Sequence, residues 1–194
     1  GILALFACRK DRHKAYIEGR VVDATTGAGL PGAMVYMQKK STTCFGCNPA
    51  TFAVITADSK GYFVYSYNPD KHTTYNVIAS ADRYFSNAAT GGVALGSSTG
   101  TQNVSVKLQP YAWLRLHLKN TAPYNSLDLI GINYFLGGGA SFYGMTIDTF
   151  VVEQVYGNSV INTTWFVTKN GVTNNYSGTI YCSKFDTTVY GINY

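Results

Sequence analysis

Tyr16-Ile17-Glu18-Gly19-Arg20-Val21-Val22-Asp23 leads into Thr25-Thr26-Gly27-Ala28-Gly29-Leu30-Pro31-Gly32, then the apolar run Ala33-Met34-Val35-Tyr36-Met37 and, further on, Thr56-Ala57-Asp58-Ser59-Lys60-Gly61-Tyr62-Phe63. Short apolar and β-branched runs, cut by Gly, Pro and Asp, are the pattern of strands joined by turns. Asp58 can bond its own backbone further on and Gly61 can take a positive φ, so residues 58–61 predict a tight hairpin between a strand ending at Thr56 and one starting at Tyr62. Outward from this stretch the same pattern predicts strands near 16–23, 33–39, 51–57, 61–67, 74–80 and 102–108. A spacing of about ten residues is that of a β-sandwich, whose sheets pack face to face across alternating inward side chains. Residues 41–50 and 87–100 read as longer loops, a common place for recognition.

Composition agrees with an all-β class. The chain has 194 residues, 46% apolar and 13% charged, with 16 Tyr and 10 Phe, which makes it globular and long enough for two small domains. No window carries an apolar stripe at helical spacing. Pro110 reads as a hinge, and beyond it Ala112-Trp113-Leu114-Arg115-Leu116-His117-Leu118 alternates as a half-buried strand does. Further strands are expected near 129–135, 145–155, 164–168, 176–182 and 187–192, with Lys169-Asn170-Gly171 as a hairpin turn. Gly-Ile-Asn-Tyr occurs at 131–134 and again at 191–194, too short a match to mark a repeat architecture. The expectation is two β-sandwich domains of immunoglobulin or transthyretin-like type in tandem, 16–109 and 110–194, after a segment 1–15.

Residues 16–85 resemble the carboxypeptidase regulatory-like domains, small transthyretin-like sandwiches abundant in exported proteins of Bacteroidetes-type bacteria. The resemblance rests on Ile17-Glu18-Gly19-Arg20-Val21, Gly29-Leu30-Pro31-Gly32-Ala33-Met34-Val35, residues 56–63 and Tyr75-Asn76-Val77-Ile78-Ala79-Ser80. It extends to Val104-Ser105-Val106-Lys107-Leu108. It implies a domain without catalytic residues of its own that accompanies other modules. The Cys-Phe-Gly-Cys insertion at 44–47 is not required by that pattern, and the C-terminal half shows no such resemblance.

The chain begins Gly1-Ile2-Leu3-Ala4-Leu5-Phe6-Ala7-Cys8 and turns polar at once. The run is too short to span a bilayer, which needs about 20 residues. Two readings stand. Leu5-Phe6-Ala7-Cys8 resembles a bacterial lipobox, which would make residues 1–15 a truncated lipoprotein signal and linker, with Cys8 the site of lipid attachment. Alternatively the run is a first strand and Cys8 a core thiol. The first reading places the protein in the bacterial cell envelope as an outer-membrane lipoprotein, held to the membrane through acyl chains alone. Cys44 and Cys47 then read as a disulfide stapling a loop, with two inert thiols or a metal or redox pair as alternatives; Cys182 reads as a free buried thiol.

Catalytic machinery is not evident. His13, His72 and His117 stand apart with no metal-ligand spacing, and the ten acidic residues are dispersed. The run Gly137-Gly138-Gly139 is not followed by the Lys and hydroxyl residue of a phosphate loop. We expect no metal, no cofactor and, since the basic residues are scattered despite a net charge of +5, no nucleic-acid partner. Aromatic side chains with amide neighbours remain: Tyr124 and Asn125, Phe142 and Tyr143 beside the glycines, and Asn174, Asn175 and Tyr176 near the Asn-Gly turn. Such rings serve for sugar stacking or fill sandwich edges and seams. The reading is a non-enzymatic envelope module with a protein or glycan partner, structural in the first instance. The alternative is a carbohydrate- or peptide-binding accessory protein that uses aromatic loops of its C-terminal domain.

Overall fold

The computed structural model describes residues 13–194. The expectations for Cys8 and the rest of 1–12 lie outside the described residues. Two compact units divide the chain between Leu108 and Gln109, and the described residues are built from strands with a single short 3-10 turn.

The first unit contains β1 (Ala15–Asp23), β2 (Met34–Ser41), β3 (Ala50–Thr56), β4 (Tyr62–Tyr67), β5 (Thr73–Ser80), β6 (Tyr84–Phe85), the 3-10 turn Asn87–Thr90 and β7 (Val93–Leu95). It is completed by the first half of β8 (Gly100–Lys119). One sheet has β1 between β4, antiparallel, and β8, parallel. The other runs β3-β2-β5-β7, antiparallel throughout. Ile17, Val21, Phe63, Val106 and Leu108 from the first sheet and Val35, Met37 and Val77 from the second form one core. Alternation along each strand puts these on the inner faces. Gly19 belongs to this face because the Phe63 ring occupies its side-chain space; a Cβ there would lie 2.1 Å from the ring Cζ.

The second unit contains the rest of β8, β9 (Leu129–Asn133), β10 (Gly139–Tyr143), β11 (Asp148–Tyr156), β12 (Ser159–Lys169), β13 (Val172–Cys182) and β14 (Thr187–Asn193). Here β8 lies between β11, antiparallel, and β14, parallel, and the facing sheet runs β10-β9-β12-β13. Leu114, Leu116, Leu118, Ile130, Ile132, Ile161 and Cys182 are among the residues of its core.

The two units therefore share one seven-strand topology. Strands β1, β2, β3, β4, β5, β7 and early β8 correspond in order, partner and direction to late β8, β9, β10, β11, β12, β13 and β14. One strand serves both: residues 100–108 pair with β1, and residues 111–119 pair with β11. The two Gly-Ile-Asn-Tyr segments fall on non-equivalent strands, β9 and β14.

Three expectations are corrected. Pro110 does not break the chain between strands; it lies inside β8, whose even-numbered residues stay buried from Val106 to Leu118. Proline fits because pairing with β1 ends at Leu108 and pairing with β11 starts at Tyr111, so no ladder bond needs its missing N–H. The Asp58 turn does not close a hairpin: β3 pairs with β2 and β4 with β1, so it carries the chain from one sheet to the other. Asp58 Oδ1 accepts from the Lys60 and Tyr62 amides, each at 2.8 Å, and the Gly61 carbonyl accepts from Val21 N at 2.8 Å. The third correction is that Val93–Leu95 and Gly139–Tyr143, inside stretches read as loops, are short strands.

Candidate functional site

Three carboxylates are buried among the described residues; Glu153 accepts only from the Phe135 amide, and Asp23 and Asp128 organise the polar interior of the units. Asp23 Oδ1 accepts from the Thr25 amide and hydroxyl, both at 2.7 Å, and from Thr26 N at 3.1 Å. Its Oδ2 accepts from the Tyr84 hydroxyl at 3.0 Å. Burial and the Asp23 bond push the Tyr84 pKa up to about 12. In the second unit Asp128 accepts from Tyr124 N at 2.7 Å, Asn125 N at 3.1 Å and the Asn120 amide at 2.9 Å. Burial works to raise its pKa, but those bonds and nearby Lys169 hold it below the ordinary carboxylate value. Lys169 Nζ donates to Asn120 Oδ1 at 3.0 Å and to the Ala122 carbonyl, and lies 5.0 Å from the Tyr194 ring centroid. Asp23 thus accepts four hydrogen bonds and Asp128 three, from turn and loop groups and the β6 Tyr84 hydroxyl, and each carboxylate fixes the chain around it.

On the outer side of the β11-β8-β14 sheet, His117 Nε2 and Asp148 Oδ1 are 2.6 Å apart and Lys119 Nζ lies 3.1 Å from Asp148 Oδ2. The bonds from His117, then Lys119, lower the Asp148 pKa. The His117 ring stacks on Phe150 at 4.4 Å, and Arg115 sits 3.9 Å over the other ring. A His–Asp pair is a catalytic arrangement when a nucleophile meets the imidazole. Here the hydrogen bonds among the described residues bring no serine, threonine or cysteine to His117. The described residues also contain no group of three His, Cys, Asp or Glu fit to hold a metal.

The candidate residues separate. Cys44 and Cys47 are bridged, with Cα atoms 5.7 Å apart, and present Phe45 fully to solvent. Cys182 is buried and free, and burial raises its thiol pKa. Tyr124, exposed, and Asn125, half-buried, stay in the loop pinned by Asp128. Phe142, Tyr143, Asn175 and Tyr176 are not on loops: the first two lie on β10 and the others on β13, opposite edges of one sheet. Strand parity divides them again. Phe142 packs on the core, and Tyr176 stacks on the half-buried Trp165 with centroids 5.9 Å apart, whereas Tyr143 and Asn175 point outward.

That outer face of β10-β9-β12-β13 has a distinct composition. Its rows, read from the pairing register, are Tyr143-Leu129-Thr168-Thr173, Ser141-Gly131-Phe166-Asn175 and Gly139-Asn133-Thr164-Ser177. Asn162-Thr179 and Val160-Tyr181 follow on the last two strands. No position in these rows carries a charge. The outer faces of the strands paired through β8, by contrast, carry Glu18, Arg20 and Lys107 in the first unit and Arg115, Lys119 and Asp148 in the second. Phe166 covers Gly131, where an added Cβ would meet the ring at 2.2 Å. The sequence signal was present as uncharged residues, polar except for Phe166, at every second position of 162–168 and 173–179, but only pairing brings the two runs side by side.

Fold and surfaces together define a tandem seven-stranded β-sandwich protein. No protein-family model matches the chain, and no curated protein does. Among solved structures it is similar to the TIE protein of Bacillus anthracis, at 13% identity and a TM-score of 0.39, over 93% of this chain and 34% of that one. It is also similar to a streptococcal ancillary pilin, at 12% and 0.37, over 95% and 63%, and to a minor pilin of Streptococcus agalactiae, at 9% and 0.34, over 93% and 94%. The chain thus spans about a third of the first of these proteins and under two thirds of the second.

Proposed function

We propose that the chain is a non-enzymatic module of the bacterial cell envelope, held to a membrane by acyl chains on Cys8, whose two sandwiches act as a structural or protein-interaction unit. The observation that carries the reading is the use of the buried polar groups. Asp23 accepts four hydrogen bonds and Asp128 three from groups that hold the chain in place, and among the described residues no serine, threonine or cysteine is hydrogen-bonded to His117 of the His117–Asp148 pair. The lipobox-like Leu5-Phe6-Ala7-Cys8 supports the anchor, and the likeness of residues 16–108 to carboxypeptidase regulatory-like domains supports an exported accessory role. Mass spectrometry of protein extracted from native membranes tests the anchor: the reading expects Cys8 as first residue with a diacylglyceryl group. An N-terminus before Cys8, or an unmodified Cys8, would end it. For the non-enzymatic reading, any growth or envelope-permeability defect of a deletion strain is expected to be restored in full by the His117→Ala variant, and failure of the folded variant to restore it would return the pair to consideration as catalytic.

A further inference from the structure

We propose that the outer face of the β10-β9-β12-β13 sheet binds a neutral polysaccharide. The inference names a ligand for the interaction module, and it rests on that reading only in assigning no chemistry to the face. Three features of the face point the same way.

The first is charge. The whole chain has 15 basic and 10 acidic residues, yet five consecutive rows of this sheet have none. A surface for an acidic glycan or a phosphate polymer would present cations. This one offers neither sign.

The second is hydrogen bonding. Asn162, Asn175, Ser141, Ser177 and Thr179 are exposed, and their side chains make no hydrogen bond to another side chain among the described residues. Their amides and hydroxyls donate and accept at once, as sugar hydroxyls do. Asn133 is held in place by a 2.9 Å bond to Thr164 Oγ1, and the Thr168 and Thr173 hydroxyls lie 2.7 Å apart, so part of the array is already ordered.

The third is the placing of the rings. Tyr143 and Tyr181 are 65% and 58% exposed at opposite corners of the face, and Phe166, over Gly131, lies in the row next to that of Tyr143. Strand spacing and rise put the two tyrosines roughly 30 Å apart. Isolated rings this far apart, with polar groups between them, suit the apolar faces of sugars several units apart along one extended chain. A protein partner would be better served by one contiguous apolar centre; here Tyr143, Leu129 and Phe166 at one end are divided from Val160 and Tyr181 at the other by the Asn133-Thr164-Ser177 and Asn162-Thr179 rows.

The test is electrophoresis of the full chain through native gels containing cellulose ether, mixed-linkage β-glucan, mannan, xylan or starch, with heparin and alginate as acidic probes. We expect retardation by at least one neutral polymer, unchanged by about 0.5 M salt, which screens charges but not uncharged contacts. The double variant Tyr143→Ala/Tyr181→Ala is expected to weaken retardation about tenfold, and Asn175→Asp to weaken it with the fold intact. Tyr124→Ala, off the face, should leave it unchanged. Retardation by none of the neutral polymers, by the acidic ones alone, or by a neutral polymer but unaffected in the double variant, overturns the inference. So does dimerisation in sedimentation that Asn175→Asp abolishes, since a second copy would then occupy the face. None of these outcomes touches the interaction-module reading, which falls separately by the Cys8 mass and the His117 variant.

Discussion

Glu153 sits on β11 with its side chain turned into the second core, 9% exposed. Its Oε2 accepts from Phe135 N at 2.7 Å, while Oε1 has no partner among the described residues. Burial raises its pKa, against the smaller opposing effect of the Phe135 bond. A carboxyl whose folded pKa is raised holds its proton more tightly when folded. Its favourable contribution is therefore full below the unfolded value, about 4.3, and is lost as pH rises through the folded value. Glu153→Gln should leave stability at pH 4 nearly unchanged and raise it at pH 8 by on the order of 1 kcal/mol, measured as urea midpoints across that range. A variant less stable at pH 8 would mean that the carboxylate is partnered. Gly19 makes a second prediction at this scale. Because Phe63 fills its side-chain space, Gly19→Ala should cost about 2 kcal/mol, and Phe63→Leu in the same chain should recover part of it.

The β12–β13 hairpin is the element that the sequence states most directly. Asn170 and Gly171 have φ of 51° and 71°, the pair of positive values that a two-residue turn of this hand requires. Lys169 is thereby set opposite Val172, and every outward pair down to Val160-Tyr181 follows. Gly171→Val should destabilise the second unit by about 1 kcal/mol or more and broaden the amide resonances of β13; sharp resonances with unchanged stability would show that packing fixes the register without the turn. The Cys44–Cys47 bridge lies between β2 and β3 of the first unit. A loop this short offers about 2 kcal/mol at most. Reduction should lower the unfolding transition of the first unit and leave tryptophan fluorescence alone, because Trp113 and Trp165 both belong to the second. A shift in that fluorescence on reduction would show that the units do not respond separately.

At the scale of the molecule, the two cores share no residue, and each unit contains all seven strands of its topology once β8 is divided. Fragments 13–108 and 109–194 should each unfold cooperatively in urea, with dispersed amide spectra. An unfolded 109–194 would show that late β8 needs the residues before it. The fold class, the strand positions of residues 16–67 and the Asn-Gly turn were legible because each depends on local φ preferences and period-two alternation. The sheet membership of β3 and β4 was not, because a turn specifies where the chain reverses and not which strand it pairs with next.

The sequence by itself determined an all-β chain of two halves, since alternation, turn residues and composition act over a few residues at a time. Only the tertiary structure decided that the halves repeat one topology and share strand β8, that His117 meets Asp148, and that Asn120, Asp128 and Lys169 form one network. It alone decided that Phe142 and Tyr176 face the interior side of their sheet while Tyr143 and Tyr181 frame an uncharged outer face. Those outcomes depend on strand register and on which sheet each strand joins, and register joins residues tens of positions apart that no local preference connects.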